Sequence, residues 1–521
     1  MAPAAAPIDC AWLLAEPGAA PAQAGRRVVF DGARIASIEP LAAPPTGPRR
    51  LVLPALANAH DHARTFRSAT LGAFGKPLET WLPYLGVLPG VDPYLCAATS
   101  FARSVRHGVT DLMVHYTRVQ GGMAYVDEAL AVARAARDVG IHIGFAVSMR
   151  DRHGIGLCDD ATMLAALRPA LREPVAQRLA VRPVAPAEQL AVVHTLAAAL
   201  AADASLAPHV TLQYGPTGAQ WCSPPLLQAV AEASHRSGRP VHMHLLETRY
   251  QREWADQAYP QGLVPYLDQI GLLSPRLTLA HCTWARPAEL ALLAERGVTI
   301  AVNTSSNLGL KSGIAPLAEM LRQGCRVAMG LDGMAFNEDD DALHEMRLAH
   351  ALHRGWGFDD SLDAAQLWRF AAVNGRRSVR GAAADAAGAG LMRPGAAAAA
   401  AAAHAGAPTM PAPTYASTPS NFGGLHSPPP PAPPLQPASI KVLNGAAAGR
   451  EVTLSKVVTT VGKPGVQVAS ITKRPNGYAF AHVEGATRPS INGVPLVGDS
   501  VPLRNGDVIE LAGTQMQFIY R

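Results

Sequence analysis

The chain has 521 residues, 49% of them hydrophobic and 16% charged, which exceeds one ordinary domain and fits a large globular protein. Its net charge of +5 is scattered over arginines with no basic stripe, so a nucleic-acid partner is not implied. Cys10, Cys96, Cys158, Cys222, Cys282 and Cys325 stand far apart with no CxxC pair, which excludes a disulfide framework and a thiolate zinc site and fits a reducing cytoplasm. The opening MAPAAAPIDCAWLLAEPGAAP lacks a basic region before a sustained apolar run and does not read as a secretion signal. No run of about twenty apolar residues marks a membrane span.

Residues 26–40, RRVVFDGARIASIEP, predict a β-hairpin whose apolar strands flank the turn signal Asp31-Gly32. From residue 51, short apolar runs alternate with helical stretches such as DEALAVARAARDVG and PAELALLAERG. The runs are LVLPALANAH, VTDLMVHY, IHIGFAVSM, HVTLQYGP, PVHMHLLE, LTLAHCTW, VTIAVNTS and VAMGLD. Near-continuous apolar strands covered by helices imply a parallel sheet. Eight of them predict an α/β fold, a (β/α)8 TIM-like barrel over 51–385, preceded by a β segment at 1–50. Residues 386–438 read as a low-complexity linker, with eight consecutive alanines (396–403) and the stiff SPPPPAPPLQP (427–437). From 439 to 521, short β-rich runs divided by Gly, Asn and Pro turns predict a compact all-β sandwich.

In the first barrel strand alternate side chains share a face, so His60 and His62 point one way and Asp61 the other. Alone, such a pair reads more simply as two polar loop residues. The other strand ends supply companions: His242, His244 and Glu247 close the fifth run, His281 lies in the sixth, and Asp332 ends the eighth. In this fold the C-terminal strand ends form one rim, which carries the active site. Singly, each residue has a plainer reading. His281 reads as a packed histidine, Asp332 before Gly333 as a turn residue, and Glu247 as the first-turn acid of a helix. Jointly, three imidazoles and a carboxylate suit one divalent ion, Zn2+ or Fe2+, with room for a water whose pKa the ion lowers.

The stretches LANAHDHARTFRS, PLETWL, VHMHLLET, LAHCTWA, NTSSNLGLKSGIAP and GLDGMAFNED resemble the amidohydrolase superfamily over roughly residues 26–395. They look closest to its cytosine deaminase, S-adenosylhomocysteine deaminase and chlorohydrolase branch. The resemblance implies His60, His62, His244 and Asp332 as metal ligands and Glu247 as proton shuttle. It makes His281 the residue that polarises or orients substrate and water, and Asp332 also the acceptor of the water's proton, while His242 matches no ligand position. The implied reaction is hydrolytic deamination of an aminated N-heterocycle: hydroxide attacks an amidine-like carbon, Glu247 protonates the ring nitrogen, and ammonia leaves. The H-x-E…P-C-x-x-C signature of the other zinc deaminases is absent. Within the family the pocket comes from loops after strands one, three and four, where Arg67, Trp81, Arg150, Arg152 and Trp221 stand. Arginine suits a carbonyl or carboxylate and tryptophan a heterocycle, with pterin, purine, pyrimidine and triazine all open. This branch continues with G-x-L-x-P-G-x-x-A-D strands that pair with the N-terminal hairpin. Here GLMRPG (390–395) starts that pattern and the alanine tract replaces the rest, so Val28 and Ile35 are expected to be poorly covered.

The C-terminal segment resembles a forkhead-associated (FHA) domain through TTVGKPGVQVASITKRPNGYAFAHVEG, PSINGVPL and LRNGDVIELAG. FHA domains bind phosphothreonine through a loop arginine and a Ser-x-x-His arrangement, with an Asn-Gly on a neighbouring loop. Asn492-Gly493 matches, Lys463 occupies the arginine position, and no Ser-x-x-His follows. Lysine offers a point charge where arginine offers a bidentate fork, which favours a phosphate-independent protein-binding module. The expectation is a cytoplasmic metal-dependent hydrolase of carbon–nitrogen bonds in a small heterocyclic substrate, with a protein partner at the FHA-like module and no nucleic-acid or membrane partner. The competing expectation is a non-catalytic adaptor that carries this module on a truncated barrel.

Overall fold

The computed structural model describes residues 6–32, 34–47, 49–64, 72–86, 90–117, 122–333, 340–381, 392–394, 437–445, 447–456, 458–463, 466–474, 477–485, 487–496 and 500–520. Strands β1 (Ile8–Leu13), β2 (Gln23–Asp31), β3 (Arg34–Pro40) and β4 (Leu51–Val52) make one sheet in the order β3-β2-β1-β4. The expected hairpin is β2–β3, with Asp31 opposite Arg34 and Gly32 at φ +55 in the turn. The expectation that its apolar face would lie bare is wrong. Val28 is fully buried and Ile35 is 3% exposed, packed with Cys10 and Leu13 of β1, a strand the sequence pattern does not mark. Val52 and Met392 pack against the same cluster, and Met392 N donates to Ala15 O at 3.0 Å. The alanine tract at 396–403 lies outside the described residues.

The eight apolar runs become β5 (Leu56–Asp61), β6 (Val109–Tyr116), β7 (His142–Met149), β8 (Val210–Pro216), β9 (Val241–Leu245), β10 (Leu277–His281), β11 (Thr299–Val302) and β12 (Arg326–Met329). They form one parallel sheet in chain order. One boundary needs correction: the first barrel strand begins at Leu56, while Leu51–Val52 pairs with β1. Pro54, between them, has no N–H to give to a ladder. Helices such as Pro93–Arg106, Tyr125–Val139 and Pro224–Ser237 fill the crossovers. Asp92 and Ser223 accept from Leu95 N and Leu226 N and so cap two of them. Their buried faces meet the strands in a core that includes Phe101, Val132, Leu227, Leu112, Phe145, Met243 and Ile300.

The two ends of the sheet meet at a seam. Asp332 N donates to His60 O at 2.9 Å and Leu331 N to Asn58 Oδ1 at 2.9 Å. Gly330 sits there because a Cβ would overlap Asn303 Oδ1 and stand 2.8 Å from the His60 Cβ. Toward the start of β6, buried Asp111 pairs with Arg376 at 3.0 Å and with Arg380, both on helix Gly375–Arg380. Burial alone would raise the Asp111 carboxyl, but the two guanidinium groups hold it below the usual carboxylate range.

The chain divides into two units, Met1–Met410 and Pro411–Arg521. The second holds strands β13 (Ala438–Val442), β14 (Glu451–Thr453), β15 (Val458–Lys463), β16 (Gln467–Arg474), β17 (Gly477–Glu484), β18 (Ser490–Ile491), β19 (Val494–Pro495), β20 (Val501–Leu503), β21 (Val508–Leu511) and β22 (Thr514–Tyr520). They form two antiparallel sheets, β14-β13-β22-β21-β18-β19 and β15-β16-β17-β20. Ile440, Ile509 and Phe518 from the first meet Ile471, Phe480 and Leu503 from the second in one core. All six thiols are free, and among the described residues no helix is long and apolar enough to cross a membrane.

Candidate active site

The period of a strand places His60 and His62 together at the end of β5, and their Nε2 atoms lie 3.4 and 3.2 Å from Asp332 Oδ1. Asp61 turns the other way, as its alternation requires. It accepts from Asn58 Nδ2 at 2.8 Å, His62 N at 2.6 Å and Ala63 N at 3.1 Å, and so fixes the exit from the strand. His244 comes from β9, Glu247 follows it, and His281 ends β10. The backbone turns left-handed at Leu246 (φ +49), His281 (φ +75) and Asp332 (φ +54), a conformation that costs side-chain-bearing residues about 1–3 kcal/mol each. Such strain is sustained where the surrounding structure over-determines it.

Each rim imidazole is tied by Nδ1 to a group behind it. His62 Nδ1 donates to His115 O at 2.6 Å and His244 Nδ1 to Thr217 O at 2.7 Å. A carbonyl only accepts, so both rings carry a proton on Nδ1, and it is Nε2 that is turned toward the rim centre. His60 Nδ1 meets His242 Nε2 at 2.8 Å, and His281 Nδ1 meets Asn307 Oδ1 at 2.9 Å. His242 therefore stands behind a rim histidine, in keeping with its lack of a ligand position. The Nε2 atoms of His60 and His281 are buried and make no hydrogen bond within the protein, although carboxylate oxygens of Asp332 and Glu247 stand 3.4 and 3.6 Å away. Ligating atoms of His60, His62 and Asp332 lie within 4.8 Å of one another, as do those of His60, His244 and His281. This donor set, with its outward nitrogens tied, fits a divalent cation.

Burial lowers His60 to about 4 and takes His244 well below the usual imidazole value. Burial alone would raise the Asp332 carboxyl, but the His60 and His62 imidazoles hold it well below the carboxylate range. Neutral rings beside an ionised carboxylate are the protonation states that ligate a metal. Glu247 behaves differently. Burial pushes it up to about 7, partly offset by His281, whose Nε2 is 3.6 Å from Glu247 Oε2. A carboxyl so placed exchanges a proton near neutral pH.

The rim opens into a cavity of about 450 Å3, in which His62, His244, Glu247, His281 and Asp332 share the wall with Trp81, Arg150 and Trp221. The Arg150 guanidinium lies 6.0 Å from the Trp221 ring centre and donates to His153 O at 2.9 Å. Arg152 is not among the cavity-lining residues; it donates to Ala219 O at 3.0 Å and stacks on Trp254. Arg67 lies outside the described residues. Sequence reasoning passed over Glu79, which lines the cavity and accepts from Thr248 Oγ1 at 2.5 Å, although PLETWL contains it. It also passed over His115, Asn303, Ser306, Asn307 and Ser312, which bond to rim residues from behind. In the second unit, Lys463 is exposed at the end of β15. Asn492 (φ +52) forms the β18–β19 turn, donating to Asp507 Oδ1 at 2.8 Å and accepting from Val508 N at 2.9 Å.

Known proteins share this framework. The 5'-deoxyadenosine deaminase of Methanothermobacter thermautotrophicus is 29% identical over 358 residues, 67% of this chain and 72% of that one. The 5-methylthioadenosine/S-adenosylhomocysteine deaminase of Thermococcus sibiricus is 35% identical over 192 residues, 37% of this chain and 44% of its own. An adenosine deaminase from Xanthomonas campestris, solved with bound zinc, has 24% identity and a TM-score of 0.56 over 76% of this chain and 84% of that chain. Residues 51–383 match the amidohydrolase family model, which spans all eight barrel strands and every rim residue above, and the chain belongs to that family.

Proposed function

We propose that the protein is a metal-dependent deaminase that hydrolyses the exocyclic amine of an N-heterocycle, most closely an adenine carried on a modified ribose. The observation that carries this reading is the rim itself: outward-tied imidazoles and Asp332 converge beside Glu247, poised near neutral pH, in one cavity. His60, His62, His244 and Asp332 would hold one Zn2+ or Fe2+; zinc is the metal in the Xanthomonas relative. When bound, the ion supplies the Lewis acidity that lets water ionise near neutral pH. Asp332 would take one proton as the water oxygen bonds to the amine-bearing carbon while Glu247 protonates the adjacent ring nitrogen. Glu247 would then recover a proton from the new hydroxyl and Asp332 would pass its proton to the amine, whose C–N bond breaks to release ammonia, with His281 Nε2 orienting the substrate and the water.

The substrate class rests on the two deaminase relatives, whose names specify adenine nucleosides, and on the cavity wall. Trp81 and Trp221 offer apolar surface to a purine, and Glu79 has one carboxylate oxygen buried without a partner, suited to hydroxyl donors of a ribose. Ammonia release from 5'-deoxyadenosine, 5-methylthioadenosine, guanine, a pterin and a triazine tests the reading. Turnover of the adenine nucleosides at more than tenfold the kcat/KM of the others supports it, and release from none of them refutes it.

For the second unit, reached through a low-complexity linker shorter at both ends than 386–438, since Met392 packs on the N-terminal sheet and Ala438 opens β13, we infer a protein-binding module of FHA type that acts without phosphothreonine. Its support is the two-sheet core together with Asn492, whose amide is already engaged at both ends. A phosphothreonine peptide that bound the isolated module at micromolar concentration would overturn it.

A further inference from the structure

The rim side chains belong to β5, β9, β10 and the turn after β12, yet one short segment elsewhere reaches three of them. Residues 303–312 leave β11, form helix Thr304–Gly309 and turn back through Lys311 at φ +55. Asn307 Oδ1 and Asn303 Nδ2 stand 2.9 and 3.2 Å from His281 Nδ1. Ser306 Oγ donates to Asp332 Oδ2 at 2.6 Å, and Ser312 Oγ donates to Glu247 Oε1 at 3.0 Å. Asn303, Ser306, Asn307 and Ser312 are each no more than 1% exposed. The segment is itself held at both ends. Ser305 N donates to Glu345 Oε1 at 3.0 Å, and the Trp284 indole donates to Ser312 O at 2.6 Å.

The two serines divide each carboxylate in the same way. Ser306 takes Asp332 Oδ2 and leaves Oδ1 toward His60 and His62 Nε2. Ser312 takes Glu247 Oε1 and leaves Oε2 toward His281 Nε2. A carboxylate free to rotate would exchange its two oxygens; a buried hydroxyl bond to one of them fixes which oxygen faces which imidazole, with Asp332 Oδ2 also 3.9 Å from His281 Nε2. We propose that the 303–312 segment is a positioning element, in which Ser306 aims the Asp332 oxygen that faces the metal-ligating histidines and Ser312 aims the Glu247 oxygen that handles the proton. The Ser312 half rests on the deaminase reading; the Ser306 half does not.

Two readouts on the full chain separate these roles. In chelator competition with Zn2+ alone, Ser306→Ala should bind at least about tenfold more weakly, whereas Ser312→Ala should match wild type. In ammonia release, Ser312→Ala should lower kcat about ten- to a hundredfold at unchanged KM, and have no further effect once Glu247 is already Gln. Ser306→Thr and Ser312→Thr, which keep the hydroxyl, should restore zinc affinity and kcat respectively, which a packing defect would not allow. Wild-type zinc affinity in Ser306→Ala overturns the first half. An undiminished kcat in Ser312→Ala, or an equal loss with and without the Glu247 carboxylate, overturns the second. If the wild-type protein releases no ammonia from any of the heterocycles tested, the deaminase reading fails, while zinc affinity in Ser306→Ala still decides whether the segment positions Asp332.

Discussion

The barrel and the C-terminal sandwich both place polar side chains where strands end, and they use them in opposite ways. At the barrel rim, His60, His62, His244 and His281 are buried, tied by Nδ1, and turned so that Nε2 faces a shared centre. In the sandwich, Asn492 sits in a turn with its amide oxygen and nitrogen both engaged, and Lys463 is exposed on an outer strand. Buried imidazole nitrogens that converge on one carboxylate fit an ion held between them; a turn residue whose bonds are all made locally implies only a turn. The difference separates a site from a motif.

The largest effects should fall on the rim. His244→Ala and Asp332→Ala each remove a proposed ligand atom, and both should lose bound metal and turnover together, read by metal analysis and ammonia release. The sandwich should respond through its core instead. Phe480→Ala deletes a fully buried ring and should destabilise that unit by about 3–5 kcal/mol, with ammonia release unchanged. A matching loss of turnover would show that the two units do not work separately. At the barrel seam, Gly330→Ala forces a Cβ onto Asn303 Oδ1 and against His60 and should cost about 1–3 kcal/mol in barrel melting. The smallest effect belongs to the Asn492 turn. Asn492→Ala gives up its two local bonds at a positive φ and should cost about 1 kcal/mol in melting of the sandwich alone.

How much of this was legible in the sequence follows from which residues carry a signal. The eight barrel strands were legible because buried parallel strands read as apolar runs, and the rim was legible because ionisable residues end those runs in order. Strand β1 was not, since IDCAWL stands among alanines and prolines without alternation and gains its partners only when β2 and β4 fold beside it. Asn303, Ser306, Asn307 and Ser312 were hidden for another reason. Asn and Ser are ordinary residues of turns and caps, and only the fold shows that their side chains point at His281, Asp332 and Glu247. His115 lies inside an apolar strand, and its link to the site runs through its carbonyl, which any residue has.

The central claim is that Glu247 moves a proton and holds no metal, and Glu247→Gln tests it most directly. The amide keeps the size and burial of the side chain and its bond from Ser312, but cannot exchange a proton near pH 7. Purified Glu247→Gln should contain the same metal per chain as wild type while ammonia release falls by about 10^2- to 10^4-fold. Near-wild-type turnover, or loss of metal along with activity, would contradict the account.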